Sequence, residues 1–320
     1  MVLLGCSSKK QPPAISFYYW RSSFNLNDTE NTSLQNNECK TIYIKYFDVI
    51  KENTVRPVSI IKFKVLPQQK IVPVIFIKNN VFEDTAETET LAAKVAELIN
   101  AINRENKITI TQVQFDCDWT QKTKLSYFSF LEEFGKKTKL SLSATIRLHQ
   151  VKYPSVTGIP PVKKGVLMFY NMGTINSGRT NSIYDKEIAQ KYVPYLKNYL
   201  LPLDVAFPVF SWAIHCRDNN VLSLLNKTNA SDFYNDSCFK KEKNGYLVAT
   251  QSCFRSGNYF RKHDEIKFEK IEFNELQEMG ELLSVRMKTR PHEIIFYDLD
   301  SININRYKKN AFKKIRDNFN

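Results

Sequence analysis

The stretch Gln112-Val113-Gln114-Phe115-Asp116-Cys117-Asp118-Trp119-Thr120 (QVQFDCDWT, residues 112–120) alternates at the period of a β-strand. Its polar face carries two glutamines followed by two aspartates, while Val113, Phe115 and Cys117 form the apolar face. A strand with one apolar face and one inward polar face suits a closed parallel barrel: one side packs on helices, and the other lines an interior that opens toward a site.

The rest of the chain supports that reading. Strand-like runs fall at Ser16–Trp20, Thr41–Asp48, Ile71–Lys78, Ile110–Asp118, Leu140–His149, Gly165–Gly173, Val205–His215 and Glu293–Asp300. Helical periodicity lies between several of them. Thr88–Asn103 places Leu91, Val95, Leu98, Ile99 and Ile102 on one face, and Thr120–Gly135, Tyr184–Leu200, Phe273–Lys288 and Ile304–Phe319 behave similarly. Eight strands alternating with helices predict an α/β fold, a (β/α)₈ TIM barrel occupying residues 15–320. A dinucleotide-binding fold would want a glycine-rich turn after its first strand, where this chain has Arg21-Ser22-Ser23-Phe24. No cofactor is expected.

Between about 217 and 270 the alternation breaks into short polar and hairpin-like segments, read as a long excursion after the seventh strand. It either shapes the rim of a site or only covers an edge.

In a barrel, the residues at the C-terminal strand ends meet the ligand. On the fifth strand Ser143, Thr145, Arg147 and His149 face inward beside Gln112, Gln114, Asp116 and Asp118 of the fourth. Asp116 and Asp118, with Cα atoms roughly 6.5 to 7 Å apart, are candidate acid and base groups. Asp298 and Asp300, in IIFYDLDS, form a second such pair on the opposite strand, with helix capping as the other role for Asp300. Arg147, His149, Asn171 and His215 are candidate positioning groups, and Trp20, Trp119, Tyr170, Trp212 and Tyr297 are candidate platforms for a sugar face or, equally, core filling.

The net charge is +13, but its lysines are scattered and no nucleic-acid-binding module is visible, so nucleic acid is not expected as a partner. The longest apolar runs are half the length of a membrane-spanning helix. No cysteine pair has zinc-ligand spacing, and no metal is expected; Cys238 and Cys253 are placed to pair in an oxidising compartment.

Two resemblances add to this. Leu3-Leu4-Gly5-Cys6-Ser7-Ser8 resembles the lipobox of bacterial lipoproteins, which implies lipid attachment at Cys6, a tether over residues 1–14, and a place at the membrane of the cell envelope. FDCDWT at the end of the fourth strand, with Tyr18-Tyr19-Trp20 near the start, resembles bacterial barrel proteins related to glycoside hydrolases and, more remotely, the family-eighteen chitinases with their D-x-D-x-E pattern. Asp116 and Asp118 then hold the two aspartate positions, and Thr120 stands where that family has its glutamate acid. The resemblance implies hydrolysis of a carbohydrate by strand-end aspartates; with Thr120 in place of the acid, the alternative is a non-catalytic glycan-binding or structural envelope protein. A threonine hydroxyl cannot serve as a general acid near neutrality.

Overall fold

The computed structural model describes residues 11–83, 87–226, 228, 230–242, 245–255 and 257–320. Cys6 lies outside them. The expected eight barrel strands are all present, as β1 (Ala14–Tyr19), β2 (Thr41–Lys51), β3 (Lys70–Ile77), β4 (Gln112–Asp116), β5 (Ser141–Ile146), β6 (Lys164–Met168), β7 (Leu203–Pro208) and β8 (Glu293–Tyr297). Each pairs in parallel with the next, and β8 pairs with β1 to close the ring. Closure leaves no barrel edge unpaired, and the interior is filled by side chains.

Helices cover the outside. Thr88–Asn106 packs on Lys124–Thr138, and Phe115 of β4 meets Phe130 and Phe134 of the latter at ring-centroid distances of 5.0 and 4.8 Å. The expected start at Thr120 moves to Lys124, because Thr120 and Thr123 form a turn in which the Thr120 N–H donates to Thr123 Oγ1. The single helix expected over 304–319 is divided into Ser301–Ile304 and Ala311–Asp317. Asp28–Asn36 is a helix that hydrophobic periodicity did not reveal; it starts with an Asn27/Glu30 capping box instead of an apolar stripe.

One boundary changes the architecture. The apolar run 205–214 is two strands in two sheets: β7 ends at Pro208, and Ser211–Arg217 is the second strand of a five-stranded antiparallel sheet outside the barrel. β8, its neighbour in the barrel, stops at Tyr297, so a longer β7 would have no partner there. The chain turns away and pairs with Asn220–Asn226 and Glu265–Lys270. The excursion therefore begins at Ser211, not near 217. It has its own apolar cluster around Phe233, Phe239, Leu247, Phe260 and Ile266, and the Cys238–Cys253 disulfide is formed.

At the N-terminal ends of the strands the barrel interior holds a buried charged group. Glu293 accepts from Ser16 Oγ and, at 2.6 Å, from Tyr43 Oη. Lys164 Nζ lies 2.6 Å from Asp204 and 3.6 Å from Glu293. Two backbone N–H groups, of His292 and Glu293, complete the shell of Asp204 at 2.9 Å each. Paired and hydrogen-bonded in this way, the charges avoid the cost of lone burial. Among the described residues no helix is long and apolar enough to cross a membrane.

Candidate functional site

The register of β4 against β5 determines which groups meet. Phe115 faces Ala144 across the ladder, so Asp116 falls beside Thr145, and Asp118 beside Arg147 just past the strand ends. The side chains follow. Thr145 Oγ1 donates to Asp116 Oδ1 at 2.7 Å, while Arg147 Nε and Nη2 donate to the two oxygens of Asp118 at 2.5 and 3.1 Å. Asp116 is buried inside the barrel and Asp118 is exposed at its mouth. Burial pushes the Asp116 carboxyl up from the usual carboxylate range, and the Arg147 charge pulls it down without prevailing.

Around these groups lies an open cleft of about 420 Å³, whose walls include Asp118, Thr120, Arg147, His149, Tyr170, Asn171, Ile188 and Tyr192. Asn171 takes a left-handed backbone conformation (φ +55°) directly after Tyr170, turning the chain out of the barrel. His149 is on the short helix Leu148–Lys152, one turn beyond the strand where its inward position was expected. Desolvation pushes its imidazole down from the ordinary value, with Asp118 pulling the other way.

The mouth has an aromatic lining. Tyr170 stacks on Tyr297 at 5.7 Å and 27°, Trp20 meets Tyr297 edge-on at 5.3 Å, and Phe210 touches Tyr170, Tyr297 and Trp212. Below them Tyr18 Oη donates to Gln114 Oε1 at 2.7 Å. Burial keeps Tyr18, Tyr170 and Tyr297 as phenols, their pKa values raised. For Tyr170 burial is the main cause, with the Arg147 charge pulling the phenol down and Asp116, Asp298 and Asp118 adding to the rise.

Other candidates have different settings. Trp119 borders the cleft but is only 1% exposed; its indole N–H donates to the Thr157 carbonyl at 2.8 Å, and its ring meets Tyr127 and Phe128. Trp212 belongs to the outer sheet, with Nε1 donating to Glu269 at 2.8 Å while the ring reaches Phe210. His215 is also in that sheet, where Nε2 is 2.8 Å from Asp264, away from the barrel mouth. Asp298 accepts from Asn303 Nδ2 at 2.6 Å, and Asp300 caps the helix Ser301–Ile304 through the Ile302 N–H. Among the described residues no cluster of three His, Cys, Asp or Glu side chains is placed to hold a metal ion.

Sequence reading missed Phe210 and Tyr192. Phe210 sits between two sheets that the sequence joins into one run, and nothing in the 3.6-residue pattern tells which face of helix Lys186–Tyr192 borders a cleft.

The outer sheet also shapes the cleft at one remove. Tyr246 Oη donates to the carbonyls of Ser177 and Gly178, Asn181 Nδ2 to that of Lys270, and buried Lys267 to those of Thr180 and Asn176. It thereby holds down the long loop after β6 that carries Asn171 and Met172.

No protein-family profile matches the sequence. No curated protein matches it either. Solved structures do match in shape. The Bacillus cereus spore cortex-lytic enzyme SleL superposes with TM-score 0.56 at 13% identity, covering 96% of this chain and 74% of that one. Human YKL-39, described as a pseudo-chitinase with retained chitooligosaccharide binding, gives 0.51 at 11%, covering 96% and 99%. The GH18 chitinase ChiB from the chitin utilization locus of Flavobacterium johnsoniae gives 0.51 at 12%, covering 97% and 94%. The chain thus has a (β/α)₈ barrel of the kind found in GH18 glycoside hydrolases and chitinase-like proteins. At these identities the likeness concerns the fold.

Proposed function

We propose that this protein binds a carbohydrate in the cleft at the ends of β4, β5 and β6 and does not hydrolyse it. The observation that carries the reading is the state of the two polar groups at the mouth. Both oxygens of Asp118 accept from Arg147, so this carboxylate is taken up in an ion pair. Thr120, in the position of the chitinase acid, offers only a hydroxyl, itself 3.3 Å from Thr123 Oγ1. Binding requires less: polar groups to orient a sugar and aromatic faces to cover it, for which Arg147, Asn171 and Tyr170 line the cleft, with Tyr297 stacked on Tyr170 and Trp20 against Tyr297. An N-acetylglucosamine oligomer is the first ligand to test, given the chitooligosaccharide binding stated for YKL-39.

The test is titration of the protein with chitohexaose, together with assay of released reducing ends. Binding without release is expected. Release that disappears on Asp118→Asn would overturn the reading in favour of a hydrolase. That second reading has one support, Asp116, whose burial favours its protonated form. The same proposal puts the protein at the cell envelope, held by lipid on Cys6, on the strength of the sequence Leu4-Gly5-Cys6-Ser7.

A further inference from the structure

We infer that the glycan is acidic, and that its carboxylate-bearing units leave the cleft across Tyr192 and are received by Lys152, which stands among Tyr153, Tyr192 and Tyr195. This rests on the glycan-binding reading above and specifies its ligand class. The Lys152 ammonium lies 5.3, 5.0 and 5.4 Å from the centroids of those three rings. Each distance is within the range at which a ring quadrupole attracts a cation. The rings come from two segments that pack together, the Leu148–Lys152 helix with its following residue and the Lys186–Asn198 region, so the arrangement is tertiary and not local.

Three features point outward to a ligand. Tyr153 and Tyr195 are 49% and 42% exposed, a large aromatic surface for a solvent-facing position. Tyr192 also borders the cleft beside Asp118 and Arg147, making the ring cluster continuous with it. The local charge is one-sided: residues 147–153 and 186–198 hold Arg147, Lys152, Lys186, Lys191 and Lys197 against Glu187. Arg147 is engaged by Asp118 and Lys186 by Glu278, while Lys152 has no carboxylate partner among the described residues. Tyrosine faces suit the C–H face of a pyranose, and a neutral sugar offers an ammonium fixed among them hydroxyl and carbonyl acceptors but no opposite charge. A uronate unit supplies both the face and the charge.

The experiment compares chitohexaose with a hyaluronan hexasaccharide, in which N-acetylglucosamine alternates with glucuronate, on the whole chain. At low salt the hyaluronan hexamer should bind about fivefold more tightly, as one added charge pair near the surface allows. The preference should vanish at about 1 M salt. Lys152→Met should remove it while chitohexaose affinity stays unchanged, and Tyr195→Ala should weaken the acidic hexamer; both variants should melt with the wild type. Equal affinity for the two hexamers, or a preference that survives Lys152→Met, overturns this inference and leaves the glycan-binding reading standing. Failure of both hexamers to bind overturns the two together.

Discussion

Asp116 and Asp118 are separated by one residue and have opposite surroundings. Asp118 reaches solvent and Arg147, whereas Asp116 points into the barrel onto Thr145. With its folded-state pKa raised above the unfolded value, Asp116 favours folding most at pH below the unfolded pKa, and that contribution is lost as pH rises through the folded value. Asp116→Asn should accordingly raise stability relative to wild type more at pH 8 than at pH 4, which paired denaturant titrations at the two pH values would measure. The tryptophans divide in the same manner. Trp119→Ala should cost about 3 to 5 kcal/mol of stability because the ring is core. Trp20→Ala should instead lower chitohexaose affinity about tenfold, as loss of a ring at a binding mouth does. Calorimetric titration of a folded Trp20→Ala variant that binds like wild type would refute its place in the site.

At the scale of elements, the outer sheet is held by Asp264, on which His215, Arg217 and the Arg261 N–H converge. Burial pushes this carboxyl up, but the Arg217, Arg261 and His215 hydrogen bonds prevail and hold it at about 2. A depressed carboxylate stabilises the fold above its unfolded pKa and loses that contribution as pH falls through the folded value. The gap in melting temperature between wild type and Asp264→Asn should therefore be full at pH 6 and close between about pH 4 and pH 2. Because this sheet also holds the loop carrying Asn171, Asp264→Asn should weaken sugar binding without touching the cleft directly. The bottom of the barrel gives a contrasting element: Glu293→Ala leaves the Ser16 and Tyr43 hydroxyls without their acceptor while Lys164 keeps Asp204, and should cost about 2 to 3 kcal/mol with ligand affinity intact in the folded fraction.

At the scale of the whole molecule, a closed parallel barrel places its variable chemistry at one end and its structural charge at the other. The cleft lies beyond β4–β6, and the Glu293, Asp204 and Lys164 group lies at the starts of β6–β8. A protein tethered by lipid would present that cleft from a membrane. Expression in a bacterial host followed by detergent phase separation should send the wild type to the detergent phase and Cys6→Ser to the aqueous phase. Wild type found only in the aqueous phase, with Cys6 unmodified by mass spectrometry, would remove the lipid anchor from the proposal.

The sequence by itself determined the barrel, since eight strand-like runs recur along the chain with helical segments between several of them, and period and order are local properties of a chain. It also brought Asp118 and Arg147 to the same mouth, because adjacent parallel strands of matched length carry their ends together. Tertiary structure alone decided the rest. Whether Trp119 faces a ligand or Phe128 depends on the turn made after a strand, and the division of residues 205–214 between two sheets depends on where the partner strand stops. Even the pairing of Arg147 with Asp118 follows from register, which hydrogen bonds between strands set and residue spacing along one strand cannot.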